Sequence, residues 1–279
     1  SSGIELNTDG GNDSYFYLTD GRPVLGGLNQ LTVEASFQVD SVPGGSIPII
    51  DYVEGGIATE FGIAINPDGS LHIVVADGAP RMTTGTYSQL LDGNQHHVAV
   101  SWENTNGFVQ FYIDGEYAES ITGVGMAYAL FNGSVTQLVI GQNADDAGDF
   151  YSDKVFSGTI YDLRVWNNVR SEAEISLNYQ HKFDGGSLPI GLIANWQMDG
   201  FNGSNEVVDV VSGNNLSIGH AVGGGFTAST PVDDLHINEN ATNGTTVGYV
   251  VPTDPVVNND IVSDGGFWKA VEPTGVADT

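Results

Sequence analysis

Basic residues are scarce in this sequence. Seven Lys and Arg stand against 35 Asp and Glu, which gives a formal net charge of −28 at pH 7. Proteins that bind nucleic acids or anionic membranes present clustered Lys and Arg, so this composition argues against both partners. Direct membrane insertion is not expected either, because no apolar run reaches the roughly 18–20 residues that a spanning helix needs.

Cysteine is absent altogether. Its absence excludes a disulfide framework, thiolate zinc sites and cysteine nucleophiles. The many carboxylates repel one another unless cations screen or bind them, which favours an extracellular, cation-rich environment. The chain starts Ser1-Ser2-Gly3, without an initiator Met or a leader pattern, so we expect a monomeric piece of a longer polypeptide.

Turn-forming dipeptides and period-two alternation of apolar and polar residues dominate the sequence. Asp-Gly occurs nine times and Asn-Gly four times, and both dipeptides tolerate the positive φ of tight hairpin turns. From Leu31 to Val39, apolar residues alternate with polar ones, which predicts a half-buried strand with one face in solvent. Trp102, Trp166 and Trp196 lie within strand patterns and are expected in the core.

One segment has a helical pattern. Ser171 and Glu174 have the spacing of a capping box, in which each side chain bonds the backbone N–H of the other residue. Strands throughout with one short helix predict an all-β jelly-roll sandwich. We expect this domain to span residues 1–228, and residues 229–279 to form a linker and part of a further module.

A run of oxygen-bearing side chains within eleven residues is the strongest chemical signal. Calcium takes six to eight oxygen ligands in flexible geometry, and a short loop rich in Asp, Asn and Gly supplies them. The alternative is a solvated acidic loop without an ion. The predicted calcium ligands in this loop are Asn143, Asp145, Asp146, Asp149 and Asp153.

Three stretches of the sequence resemble the laminin-G-like and pentraxin branch of the concanavalin A-like sandwiches. They are HHVAVSWENTNGFVQFYIDG (96–115), LVIGQNADDAGDFYSDKVFSGTIYDLRVWNNVRSEAEI (138–175) and LIANWQMDG (192–200). The resemblance implies a calcium site in the acidic loop, with Asn143 and Asp145 on ligand positions. Ala144 and Tyr151 stand where the family has oxygen ligands, which puts a two-ion site in doubt.

In that family a second segment also contributes to the calcium site. Thr59 stands where an Asn ligand is usual, so the candidates shift to Asp51, Glu54 and Glu60. Side chains that could contact a sugar beside the ion are Gln142, Tyr52, Glu54, Phe150 and Tyr151.

The segment HINENATNGTTVGYVVPTDP (236–255) resembles the opening of cadherin-like repeats. Together with the preceding domain, it resembles the ligand-binding ends of large calcium-dependent bacterial adhesins of the repeats-in-toxin type. This resemblance implies a bacterial cell-surface location and tandem neighbouring modules.

The leading functional hypothesis is therefore a calcium-dependent lectin that binds cell-surface glycans, for which fucosylated glycans would be suitable ligands. A calcium-stabilised protein- or peptide-binding module and a structural spacer remain the alternatives. An enzyme is not expected, because no strand carries the paired carboxylates of a glycosidase. His96 and His97 are adjacent on a predicted strand, so they point to opposite faces and cannot hold one metal ion together.

Overall fold

The computed structural model describes residues 3–7, 14–54, 59–76, 78–133, 136–145, 149–183, 188–221, 226–227, 261–264 and 267–270. Its strands in chain order are β1 (Ile4–Leu6), β2 (Ser14–Leu18), β3 (Gln30–Val39), β4 (Ile47–Glu54), β5 (Thr59–Ile65), β6 (Leu71–Val75), β7 (Arg81–Met82), β8 (Gln95–Glu103), β9 (Phe108–Ile113), β10 (Glu116–Ile121), β11 (Thr136–Ile140), β12 (Gln142–Asp145), β13 (Asp149–Val155), β14 (Gly158–Trp166), β15 (Leu192–Phe201), β16 (Val207–Asp209), β17 (Ser217–Ala221), β18 (Phe226–Thr227), β19 (Ile261–Asp264) and β20 (Phe267–Ala270). Its helices are α1 (Arg22–Leu25), α2 (Glu172–Asn178) and a 3-10 turn at Ser88–Leu91.

Two antiparallel sheets form the body of the molecule. Sheet A has the order β10-β9-β8-β3-β14-β15-β16, and β1 also pairs with β14. Sheet B has the order β18-β17-β2-β11-β4-β5-β6-β7. Two separate hairpins, β12–β13 and β19–β20, complete the described strands. The predicted all-β sandwich is confirmed.

One large apolar cluster fills the space between the sheets. Phe16, Tyr52 and Phe61 enter it from sheet B, and Phe37 and Phe111 enter it from sheet A. The three predicted core tryptophans, Trp102, Trp166 and Trp196, are all fully buried. No helix among the described residues is long and apolar enough to cross a membrane.

Helix α2 is the predicted helix, and its capping box is present: the Ser171 side chain accepts from the Glu174 N–H, and the Glu174 side chain accepts from the Ser171 N–H. Ile175 packs against Ala99 and Tyr112 on the outer face of sheet A. The short helix α1 was not predicted. Its four residues include a Pro in the first turn, which suits a helix start.

The prediction that one face of β3 lies in solvent is wrong over most of the strand. Thr32, Glu34 and Ser36 are buried, and only Gln38 and Asp40 toward the strand end remain accessible. The reason is that Thr32 lies under the segment before α2, where its hydroxyl donates to the Asn168 carbonyl and accepts from the Arg170 N–H, and that Glu34 lies against His97 and Arg164. Strand alternation does not show whether a polar face is covered.

The close pairing of β14 with β3 can be tested by substituting Gly158. Its φ is +150°, and a methyl group there would overlap the carbonyl oxygen of Gln38. We expect Gly158→Ala to lower the free energy of unfolding by about 3 kcal/mol or more, measured by urea denaturation. Gly44→Ala is the matched control, because a methyl group there meets no atom within 4 Å. Equal losses in the two variants would contradict this account.

Candidate functional site

The predicted calcium loop forms the hairpin β12–β13. Its register places Asp145 opposite Asp149 and Gln142 opposite Val155, with an irregularity after Gln142. The backbone thus brings two carboxylate-bearing residues opposite each other at the hairpin end. Asp146 lies outside the described residues, as do the side chains of Asp145, Asp149, Phe150 and Tyr151.

The base of this hairpin contacts β4. The Asn143 side-chain amide donates to Oδ2 of Asp51 at 3.0 Å, across 92 positions of sequence. Asp51 is only 2% exposed, and burying a carboxylate is costly unless nearby groups compensate it. The structure therefore brings together one residue from each of the two segments that the sequence proposed.

Gln142 lies directly before this contact and is fully buried. Neither its amide oxygen nor its amide nitrogen has a hydrogen-bond partner among the described residues. A buried amide left without partners costs about 1–3 kcal/mol, so a group of this kind needs a physical explanation.

Glu60 has a different environment. It is the extra residue of a β-bulge, because Phe61 pairs with Tyr52 while Thr59 pairs with Val53. Its buried carboxylate accepts from the Tyr128 hydroxyl at 2.6 Å and from the Phe131 N–H at 3.3 Å. Glu60 thus anchors the segment around Tyr128 and Phe131.

The remaining sequence-predicted residues are dispersed. The Tyr52 ring is fully buried in the core and its hydroxyl donates to the Phe131 carbonyl at 2.7 Å, so this ring is not a surface platform for a sugar. Glu54 is half-buried at the end of β4, and burial, with the charge of Glu60, raises its pKa. Asp153 is exposed, and its backbone carbonyl accepts from the Gly45 N–H at 2.9 Å.

Among the described residues, no three His, Asp or Glu side chains lie close enough together to hold a metal ion. Asp146 and the side chains of Asp145 and Asp149 are not among them. The described part of the site is therefore Asp51, Asn143 and Gln142, at the hairpin base.

A second polar cluster lies on the outer face of sheet A, beneath α2, and we call it the buried ion cluster: Glu34, His97, Asp162 and Arg164. Nε2 of His97 lies 3.1 Å from Oε2 of Glu34. Arg164 Nε lies 2.5 Å from Oδ2 of Asp162, and its Nη1 lies 3.6 Å from the same Glu34 oxygen. All four side chains are buried.

Cationic and hydrogen-bonding groups surround Glu34 in this cluster. Burial alone would raise its pKa, but the hydrogen bond from His97 and the charges of His97, Arg164 and Arg170 outweigh burial and lower the pKa. Sequence reasoning missed this cluster, because Glu34 fits the pattern of a solvent-facing strand position. Arg164 could have revealed the cluster in the sequence, because it is one of only seven basic residues and lies within a largely apolar strand.

Removing the Glu34 charge should leave the buried Arg164 less well compensated and remove the carboxylate that His97 Nε2 contacts. Breaking one partner of a buried ion pair typically costs about 3–5 kcal/mol. We expect Glu34→Gln to lower the free energy of unfolding by this amount in urea denaturation at neutral pH. Glu116→Gln, at an exposed position of β10, should change it by less than about 0.5 kcal/mol, and similar values for both variants would contradict the account.

The contacts of His96 predict that the stability of the fold depends on pH. Nδ1 lies 2.9 Å from Asp114 and Nε2 lies 3.1 Å from Asp92. Burial alone would lower the pKa of His96, but these two carboxylates outweigh burial and raise it. A raised folded-state pKa stabilises the protein at pH values below the ordinary His pKa, and this contribution is lost as pH rises through the folded value.

The stability difference between the native chain and His96→Gln should therefore be larger at about pH 6 than at about pH 9. Thermal unfolding at both pH values measures it, and a constant difference would show that His96 does not gain a proton on folding.

Comparisons with known proteins agree with the architecture. A laminin-G family model, described as the concanavalin A-like lectin/glucanases superfamily, matches residues 9–176. The pig serum amyloid P-component is 34% identical over 113 residues, which are 40% of this chain and 47% of that protein. The rat "Sushi, von Willebrand factor type A, EGF and pentraxin domain-containing protein 1" is 29% identical over 175 residues, 62% of this chain and 5% of that protein. The chain thus spans less than half the length of either relative.

Two solved structures share the fold. A heptameric SAP-like pentraxin from Limulus polyphemus superposes with a TM-score of 0.55 at 18% identity, over 85% of this chain and 94% of that one. A putative carbohydrate-binding protein from Bacteroides ovatus superposes with a TM-score of 0.59 at 17% identity, over 85% of this chain and 59% of that one. Because the family model covers more than half of the sequence, the chain belongs to the concanavalin A-like lectin/glucanases superfamily, with pentraxins among its relatives.

Proposed function

We propose that this chain is a calcium-dependent carbohydrate-binding module of an extracellular adhesion protein, with its ion at the base of hairpin β12–β13. The superfamily supports a carbohydrate-related role, and the pentraxin relatives support a sugar- or ligand-binding module rather than an enzyme. The observation that carries the proposal is the contact of Asn143 with the buried carboxylate of Asp51, beside the buried amide of Gln142.

The side chains at this place fit a hard divalent cation. Calcium prefers carboxylate, amide and carbonyl oxygens, and Asp51, Asn143 and Gln142 offer the first two of these. The Asn143 amide donates through its nitrogen to Asp51, and the same group carries an oxygen that can ligate. Asp145, Asp146 and Asp149 follow within the next few residues, and we assign them to the same ion on residue type and position.

The net charge of the chain favours this assignment. With −28 formal charges at pH 7, a bound dication lowers repulsion among the carboxylates. Calcium held on one side by protein oxygens supplies open positions to which paired sugar hydroxyls can bind. We assign Gln142, the first residue of the same hairpin, to the oxygen ligands, and Phe150 and Tyr151 to apolar contacts with the sugar.

The type of adhesin and the class of glycan are proposed from the family resemblances of the sequence. We propose a large bacterial surface adhesin of the repeats-in-toxin type, with fucosylated or other vicinal-diol glycans as ligands and tandem modules as neighbours. The cadherin-like segment that supports this assignment, residues 236–255, lies outside the described residues.

The test is binding to an immobilised glycan panel in millimolar calcium and again in excess chelator, with thermal unfolding in both buffers. A hundredfold excess of calcium over Kd contributes about 2.7 kcal/mol, so chelation should lower Tm by about 5 °C or more. Glycan signals should disappear with the chelator and with Asp51→Ala in calcium. Asp40→Asn, at an exposed position outside the site, should behave like the native chain.

An unchanged Tm in chelator would reject the calcium site. A blank panel with folded, calcium-stabilised protein would instead reject the glycan ligand and leave a protein-binding module or a spacer.

A further inference from the structure

The turn between strands β8 and β9 contains the dipeptide Asn106-Gly107, and Asn106 is exposed. The backbone of Asn106 is fixed, because its N–H donates to Oε1 of Glu103 at 3.2 Å and its carbonyl accepts from the Gly123 N–H at 3.0 Å. Its side-chain amide, by contrast, makes no hydrogen bond to any described residue. This amide is therefore free to rotate toward the backbone nitrogen of Gly107.

The fold requires glycine after this asparagine. The φ of Gly107 is +57°, and a methyl group there would lie 2.3 Å from the backbone nitrogen of Val124. Glycine has no side chain to shield its own nitrogen from the preceding residue. The structure thus retains at position 107 the residue that hinders attack on the Asn106 side chain least.

A further Asn-Gly pair, Asn202-Gly203, has the opposite environment. Oδ1 of Asn202 accepts from the N–H groups of Ser204 and Glu206 at 2.8 and 3.0 Å. Its Nδ2 donates to Oε2 of Glu206 at 3.0 Å. The Asn202 amide must break these hydrogen bonds before it can turn toward Gly203, so the structure gives two identical dipeptides different reactivities.

Water reaches the Asn106 amide from an open depression of about 550 Å³. Phe108 and Met126 line this depression together with Asn106, and Met126 is 61% exposed. Solvent water is therefore available for hydrolysis at this turn.

We propose that Asn106 is a modification site, at which the folded protein slowly converts this asparagine to aspartate and isoaspartate. The lone pair of the Gly107 nitrogen forms a bond to Cγ of Asn106, the Cγ–Nδ2 bond breaks, and Nδ2 leaves as ammonia with the Gly107 amide proton. Water then opens the cyclic imide. Cleavage between the nitrogen and Cγ gives isomerically normal aspartate, whereas cleavage between the nitrogen and the main-chain carbonyl carbon of Asn106 gives isoaspartate.

Isoaspartate at position 106 disturbs the loop that follows β10. The N–H groups of Gly123 and Val124 donate to the carbonyls of Asn106 and Gly107, each at 3.0 Å. Val124 also accepts from Nε1 of the buried Trp102 at 2.9 Å. Isoaspartate routes the backbone through its side chain, which lengthens it, and adds a negative charge to a chain whose formal net charge is already −28. The modified protein should therefore be less stable.

The experiment incubates the full chain in calcium buffer near neutral pH and at alkaline pH, and follows peptide maps by chromatography and mass spectrometry. We expect the Asn106 peptide to accumulate both aspartate and isoaspartate at least about tenfold faster than the Asn202 peptide, because the hydrogen bonds of Asn202 raise its barrier. Both rates should rise with pH, since the attacking nitrogen must lose its proton.

The chain unfolded in urea is the matched control. Unfolding removes the hydrogen bonds of Asn202, so the two rates should approach each other there. Asn106→Gln, at an exposed position, should abolish the product at this turn and leave the rate at Asn202 unchanged. The modified fraction, separated by anion exchange, should have a Tm at least about 2 °C below that of the unmodified chain.

A folded chain that forms no product at Asn106, while the unfolded chain does, would overturn the proposal. Equal rates at Asn106 and Asn202 in the folded chain would do the same. A product that contains aspartate alone would also reject the cyclic route, because direct hydrolysis of the side-chain amide yields no isoaspartate.

Discussion

The outer face of sheet A depends on one buried cation, Arg164. Its guanidinium lies 2.5 Å from Asp162 and donates to the Asn178 carbonyl at 2.9 Å, so it joins strand β14 to the end of α2. The last carbonyls of a helix lack partners within the helix, and Arg164 supplies one. Together with the packing of Ile175 on Ala99 and Tyr112, this side chain holds α2 on the sheet, and it also lies within ion-pair distance of the buried Glu34.

Local patterns in the sequence predicted the parts of the fold that local physics decides. The hairpins β5–β6, β8–β9 and β9–β10 turn at Asp68-Gly69, Asn106-Gly107 and Asp114-Gly115. The Ser171–Glu174 spacing predicted the capping box that the structure contains. The buried face of β3 could not be predicted in this way, because its contacts come from more than a hundred residues later in the chain: Asn168 and Arg170 bond Thr32, and Arg164 lies beside Glu34. Strand alternation separates two faces, but it does not identify what lies on each.

The candidate calcium site was predictable in composition and only partly in geometry. The acidic hairpin is evident from residue types, yet the contact of Asn143 with Asp51 requires the pairing of distant segments. Glu60 was a candidate calcium ligand by residue type, but its position also depends on distant contacts. A one-residue bulge in β5 directs its carboxylate to Tyr128 and Phe131. The candidate calcium site lies where hairpin β12–β13 contacts β4 of sheet B, whereas the buried ion cluster lies on the outer face of sheet A.

The strand order also determines how this domain can be made. Strand β14 pairs with β3 over eight residue positions, although more than a hundred residues separate the two strands in sequence. Contacts between such distant segments carry a large loop-closure entropy and fold slowly. During synthesis, β3 must leave the ribosome well before its partner exists, so its apolar face is exposed to aggregation for that interval. A chain with so strong a negative charge has a built-in defence, because like-charged nascent chains repel one another while the sheet is still open.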